Sequence, residues 1–111
     1  MGKFIISQKT NGDFQFNLKA GNGQIILTSQ GYSTKPSCEN GIGSVKINAQ
    51  EDAKFERNTV NDGRCYFNLK AGNGQIIGTS QMYESDNGME NGIESVKNNV
   101  PHAPVEDETN L

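Results

Sequence analysis

The chain has 111 residues, 32% of them hydrophobic, with 13 glycines and a formal net charge of −3. That length fits one domain, and the mild acidity removes any general attraction to nucleic acid or to an anionic membrane. No apolar run reaches transmembrane length, and the opening Met1-Gly2-Lys3-Phe4-Ile5-Ile6-Ser7 carries neither a signal-peptide pattern nor an acylation cue, so a cytoplasmic protein without membrane attachment is expected.

In chain order, Lys3 to Ser7 is the first strand segment, and Gly12 fits the turn that follows it. Residues 14–19 alternate: Phe14, Phe16 and Leu18 point one way, and Gln15, Asn17 and Lys19 the other. This is a strand with one buried and one polar face. Ala20-Gly21-Asn22-Gly23 is a hairpin turn, since Asn-Gly tolerates positive φ. A third strand spans residues 24–29, with Ile25 and Ile26 both candidates for its buried side. The period then changes. Cys38, Ile42, Val45 and Ala49 form one apolar helical stripe, capped by Ser33 or Thr34, with Pro36 in the first turn. Gly41 lies in mid-helix at a cost of about 1 kcal/mol against Ala, which points to close packing on the sheet or between helices.

The chain then repeats itself. Residues 67–77 reproduce residues 16–26 letter for letter at an offset of 51, and Glu-Asn-Gly-Ile (39–42, 90–93) and Ser-Val-Lys (44–46, 95–97) keep that offset. In the second copy Cys65, Phe67 and Leu69 face the core, Tyr66, Asn68 and Lys70 face away, and Gly63 fits the preceding turn. Met89, Ile93, Val96 and Val100 form the second helical stripe, capped by Ser85, carrying Gly92 and stopped by Pro101. Gly78 stands where the first copy has Leu27, so that side of the strand is expected to face outward or an edge. Asp86-Asn87-Gly88 replaces Lys35-Pro36-Ser37 and predicts a weaker second helix start, while Gly43 in place of Glu94 weakens the first helix.

Segments 3–7 and 54–58 precede the two repeated hairpins, and 103–107 resembles 53–57 once one residue is deleted, so three related strands serve two helices. The order β-β-β-α-β-β-β-α-β predicts an α+β fold. Two tandem β(3)-α-β repeats, about 2–52 and 53–111, form a single mostly antiparallel sheet with both helices packed on one face and a pseudo-twofold axis. A copy of roughly 50 residues buries too little surface to stand alone. The repeats therefore pair within the chain, which predicts one domain over 1–111 and a monomer. Residues 106–111 are acidic and are expected to fray.

The titratable residues form no catalytic set. Cys38 and Cys65 match Met89 and Phe14 of the other copy and read as buried free thiols. His102, the sole histidine, sits in a post-helical loop with no second ligand for zinc. Gly21-Asn22-Gly23 joins two strands and does not open a helix, so it is no nucleotide cradle. Glu39 and Glu90 are expected to complement the helix dipoles. No enzyme, metal or cofactor is expected. What remains is the polar sheet face, and on it Asn17, Lys19, Tyr66, Asn68 and Lys70 are the candidate binding residues for an unidentified macromolecular partner. Single-stranded nucleic acid is the alternative, weakened by net acidity and by Tyr66 being the only aromatic in the set.

Asn-Leu-Lys-Ala-Gly-Asn-Gly-Gln-Ile-Ile, Thr-Ser-Gln, the aromatic at Tyr32 or Tyr83, Glu-Asn-Gly-Ile and Ser-Val-Lys together resemble the YegP-like tandem-repeat family of small bacterial proteins of uncharacterised function. The resemblance covers nearly the whole chain. It implies an α+β fold whose two β(3)-α-β units make one sheet and exchange their last strands, and it implies no activity.

Overall fold

The computed structural model describes residues 2–109; Met1, Asn110 and Leu111 lie outside them. The first copy supplies β1 (Lys3–Gln8), β2 (Phe14–Lys19), β3 (Ile25–Thr28) and α1 (Lys35–Asn48). After a 3-10 turn at Asp52–Lys54 the second supplies β4 (Phe55–Thr59), β5 (Cys65–Lys70), β6 (Ile76–Thr79) and α2 (Asp86–Asn99). A second 3-10 turn, Val100–His102, leads to β7 (Val105–Asp107). The seven strands make one sheet in the order β4-β5-β6-β3-β2-β1-β7. All pairings are antiparallel except β1 with β7. The strand exchange is therefore unequal: β7 crosses to the first copy and lies parallel to β1, whereas β4, which follows the first helix, pairs only with β5 and opens the second copy.

The four hairpin turns share one device. Gly12, Gly23, Gly63 and Gly74 take φ of 86 to 93°, and no other residue type has positive φ among the described residues. The Asn or Asp before each glycine keeps negative φ and instead accepts the N–H two residues on, as Asn22 Oδ1 does from Gln24 at 3.0 Å. Each second hairpin also carries a bulge, between Leu18 and Lys19 and between Leu69 and Lys70. The bulge resolves Ile25 against Ile26: Lys19 pairs with Ile25 and Leu18 with Leu27, and the unpaired Ile26 joins the core.

Both helices lie on the face bearing Phe16, Leu18, Phe67 and Leu69. The whole stripe predicted for each, Cys38, Ile42, Val45, Ala49 and Met89, Ile93, Val96, Val100, is buried in one continuous core. Thr34 caps α1 by accepting the Ser37 N–H, and Ser85 caps α2 by accepting the Gly88 N–H. Both helices run 14 residues. The substitutions expected to weaken one helix or the other thus shorten neither, and the two have equivalent caps and buried stripes. The mid-helix glycines face tyrosines, not each other. Tyr32 and Tyr83 stack on Phe16 and Phe67, and a Cβ on Gly41 or Gly92 would collide with the tyrosine hydroxyl.

The outward or edge position expected for the Leu27 side of β3 is not found. Leu27 is fully buried, at the centre of the sheet and not at an edge, where β3 and β6 meet through Thr28 and Thr79. Equivalent positions of the two copies converge there, and two leucines would compete for one volume. Gly78 leaves the space, and Leu27 fills it: a Cβ on Gly78 would come within 2.7 Å of Leu27 Cγ. Residues 106–109 also depart from the fraying expected of 106–111, of which 110 and 111 lie outside the described residues. Glu106 pairs with Lys3 at 2.7 Å and Asp107 with Lys35 at 2.8 Å, while Phe4 donates to the Pro104 carbonyl and Glu108 to that of Ile6.

Gly78→Ala should destabilise by about 1–3 kcal/mol through overpacking, although it replaces a flexible residue. The double variant with Leu27→Ala should cost less than the sum of the two single changes, and denaturant unfolding of the four proteins measures the coupling. Additivity would separate the two side chains. A second expectation concerns β7. Lys3 holds the Glu106 carboxyl below its ordinary range, and Lys35 with Thr109 holds Asp107 down to about 2. Depressed carboxyl pKa values stabilise above the unfolded values, near 4.5 and 3.8, and that contribution disappears as pH falls toward about 2. The exchange protection of the Phe4 and Glu108 amides should therefore drop across this window before that of β3 and β6. Simultaneous loss would show that these pairs do not hold β7.

Candidate functional site: the uncovered face of the sheet

Because both helices cover one face, the other carries the residues that alternate outward. Register sets them in rows. Ile5 lies beside Asn17, Asn17 beside Thr28, Thr28 beside Thr79, Thr79 beside Asn68 and Asn68 beside Glu56. Glu106 extends this row beyond Ile5. In the next row Lys3 faces Lys19, and Lys70 pairs with Ile76. Tyr66 is half-buried opposite Asn58, and Gln15 lies opposite Ser7, its amide donating to the Ser29 carbonyl.

The two copies are not equivalent here. In the second, Glu56 organises its surroundings: its carboxylate takes Lys70 Nζ at 2.8 Å, Asn68 Nδ2 at 3.0 Å and Asn58 Nδ2 at 3.4 Å. Thr79 donates to Asn68 Oδ1 at 2.8 Å. Lys70 first, and then the two amides, hold the Glu56 carboxyl down to about 2. Asn68 is only 6% exposed, so its predicted place as an exposed amide is corrected. The cause is the carboxylate beside it, which fixes both polar ends of the amide. In the first copy Ile5 occupies the position of Glu56. It is buried, yet it stands apart from the continuous core because it lies on the opposite face. Asn17 and Lys19 are half-buried and lack the carboxylate their counterparts have. Lys19 makes no ion pair within 4.0 Å among the described residues; its charge reaches Glu106, whose carboxylate holds Lys3.

The structure thus brings Asn68 and Lys70 together around Glu56 and leaves Asn17 and Lys19 open. Ile5, Glu56 and Glu106 are the residues that alternation within each hairpin missed. Their signal was in the sequence: Ile5 and Glu56 stand at the 51-residue offset and differ in charge.

Elsewhere the chemistry is structural. Glu90 does not serve a helix dipole: it is the fifth residue of α2 and takes Arg57 through Nε at 2.6 Å and Nη2 at 3.0 Å. Arg57 also pairs with Asp52, which takes Lys97 Nζ at 3.0 Å. Burial pushes the Cys38 thiol up to about 11. Asp86, accepting from Cys65 Sγ at 3.1 Å, raises that thiol as well. Neither cysteine is poised as a nucleophile. His102 is exposed in its 3-10 turn. A cleft of about 660 Å³ beside Ser7, Gln8 and residues 106–109 is rimmed by carboxylates, and a groove of about 220 Å³ separates Ile42 and Gly43 from Val105. Among the described residues no His, Cys, Asp and Glu side chains cluster as metal ligands, and no helix is long and apolar enough to cross a membrane.

The chain matches the family described as a domain of unknown function, DUF1508, twice, over residues 10–56 and 61–107. It is 54% identical to a UPF0339 protein of Acinetobacter baylyi, with 97% of each chain covered. It is 48% identical to the UPF0339 protein YegP of Escherichia coli, covering 97% of this chain and 98% of that one. The solution NMR structure of YegP, titled a protein of unknown function, superposes with a TM-score of 0.93 at 47% identity, covering 99% of this chain and 95% of that one. That of a UPF0339 protein from Shewanella oneidensis gives 0.92 at 44% identity, covering 98% and 95%. Two copies of the repeat, a fold shared from end to end and identity near one half place the chain in the DUF1508 family of UPF0339 proteins, to which YegP also belongs.

Proposed function

We propose that the protein is a non-enzymatic binding module, acting as a cytoplasmic monomer, and that it reads an acidic segment of another macromolecule on the uncovered face of its first copy. One observation carries this reading. Glu56 satisfies Asn68 and Lys70, and the equivalent Asn17 and Lys19 have Ile5 in its place. An incoming carboxylate beside Ile5 would complete in the first copy the arrangement the chain builds for itself in the second. Such charge-assisted contacts give direction, and Ile5 gives an apolar floor. The pairing of β3 with β6 inside one chain supports the monomer, because it joins the two copies without a second chain.

A nucleic-acid reading has less support. Tyr66 is the one aromatic of that face among the described residues and stands on β5, across the seam from Lys19. Single-strand binding needs a platform of stacking rings along a basic track.

Titration of the labelled chain with a hexaglutamate peptide, followed by amide shifts, tests the reading. Shifts are expected at Ile5, Asn17 and Lys19, with Asn68 and Lys70 unmoved. Ile5→Glu installs the second copy's carboxylate and should weaken binding by about fivefold or more, at the upper end for a single ion pair. Absence of shifts on β1 and β2 would reject the reading. Shifts with oligothymidylate alone would replace it with the nucleic-acid one.

A further inference from the structure

The internal twofold exposes a second surface. β1 and β4 hold equivalent places, each opening a copy and pairing inward with the next strand. The outer edge of β1 is covered by β7, in parallel, with Phe4 beside Val105, Ile5 beside Glu106 and Ile6 beside Asp107. The outer edge of β4 ends the sheet. Among the described residues three strand segments of this type stand for four places: β4 is spent opening the second copy, so none of them does for β4 what β7 does for β1.

The covered edge shows which main-chain groups point outward. Phe4 N–H donates to the Pro104 carbonyl, and the Ile6 carbonyl accepts from Glu108. Their equivalents are Phe55 and Arg57. The Phe55 N–H is closed off by the Asp52 carbonyl, so the available edge runs from Arg57 to Thr59. An unpaired edge of this kind accepts an added strand.

Charge selects the occupant. On β1 the lysines Lys3 and Lys35 receive the acidic β7. Beside β4 Lys54 repeats Lys3, but the equivalent of Lys35 is Asp86, and α2 adds Glu94 where α1 has Gly43. The side chains of Asp52, Glu94 and Glu90 are 64%, 64% and 47% exposed, against 32% for Arg57 and 20% for Lys97, so the carboxylates of this cluster face solvent and its cations lie beneath them. From this geometry we infer that the outer edge of β4 is a docking site for an extended basic segment of another protein, added parallel to β4 as β7 is added to β1.

This surface is separate from the face around Lys19 and takes the opposite charge, so the two readings fail independently. The test uses the full labelled chain and a blocked hexapeptide of alternating lysine and valine. Amide shifts are expected at Arg57 and Thr59 and not at Phe4 or Ile6, which β7 covers. A nitroxide on the peptide C-terminus should broaden Thr59 more than Phe55. Glu94→Lys, on an exposed helix position, should weaken binding by about two- to fivefold, the range of one surface ion pair. Unmoved β4 amides, equal shifts with a glutamate–valine peptide, or broadening strongest at Phe55 would overturn the inference. So would concentration-dependent self-association shifting the same amides without peptide, which would make a second copy the occupant.

Discussion

The fold depends on a constraint at its centre: two half-sheets, each too small to enclose an interior, must join where equivalent residues meet. A perfect duplication would bring Leu27 against a second leucine. The chain resolves this with one large and one absent side chain, so that Leu27 occupies the volume beside Gly78. Close packing makes such a fit worth keeping, since either an extra methylene or a void is costly. From that seam the two aromatic sets run outward in parallel, Phe4, Phe16 and Tyr32 on one side and Phe55, Phe67 and Tyr83 on the other. The tyrosine hydroxyls then require bare backbone at Gly41 and Gly92, which accounts for both mid-helix glycines.

Away from the seam the copies diverge, and the divergence is electrostatic. Ile5 against Glu56 decides whether an amide and a lysine are tied down or left open. Ile6 against Arg57 decides whether the edge residue is buried under a helix or ion-paired at its margin. Of the two last-strand places, the one that is filled lies at β1, where Lys3 and Lys35 meet an acidic strand. A duplicated core thus carries two unlike rims. The family connection adds relatives with the same fold and no assigned activity, so the function proposed rests on these differences between the copies.

Much of this was legible in the sequence. Alternation in residues 14–19 and the four-three-four spacing of Cys38, Ile42, Val45 and Ala49 fixed strand and helix faces, because burial in each element follows its own period. The exact repeat carried those assignments to residues 65–100. Three things were not legible. Leu27 against Gly78 reads locally as an indifferent position, since only the pairing of β3 with β6 shows that the two share a space. Asn68 reads as exposed because alternation says which face a residue points to and not what stands beside it. Glu56 lies on a separate strand, brought alongside by register. The same holds for Glu90, whose partner Arg57 is distant in sequence and adjacent only in the fold.

The central claim is that both copies share one interior and unfold as one body. Val45 is fully buried in the first copy, and truncating it leaves the second copy's sequence untouched. Denaturant unfolding of Val45→Ala should be followed by NMR signals of Tyr32 and Tyr83, one from each copy. The account predicts that both midpoints fall together and by the same amount. A lowered midpoint at Tyr32 with an unchanged one at Tyr83 would contradict it.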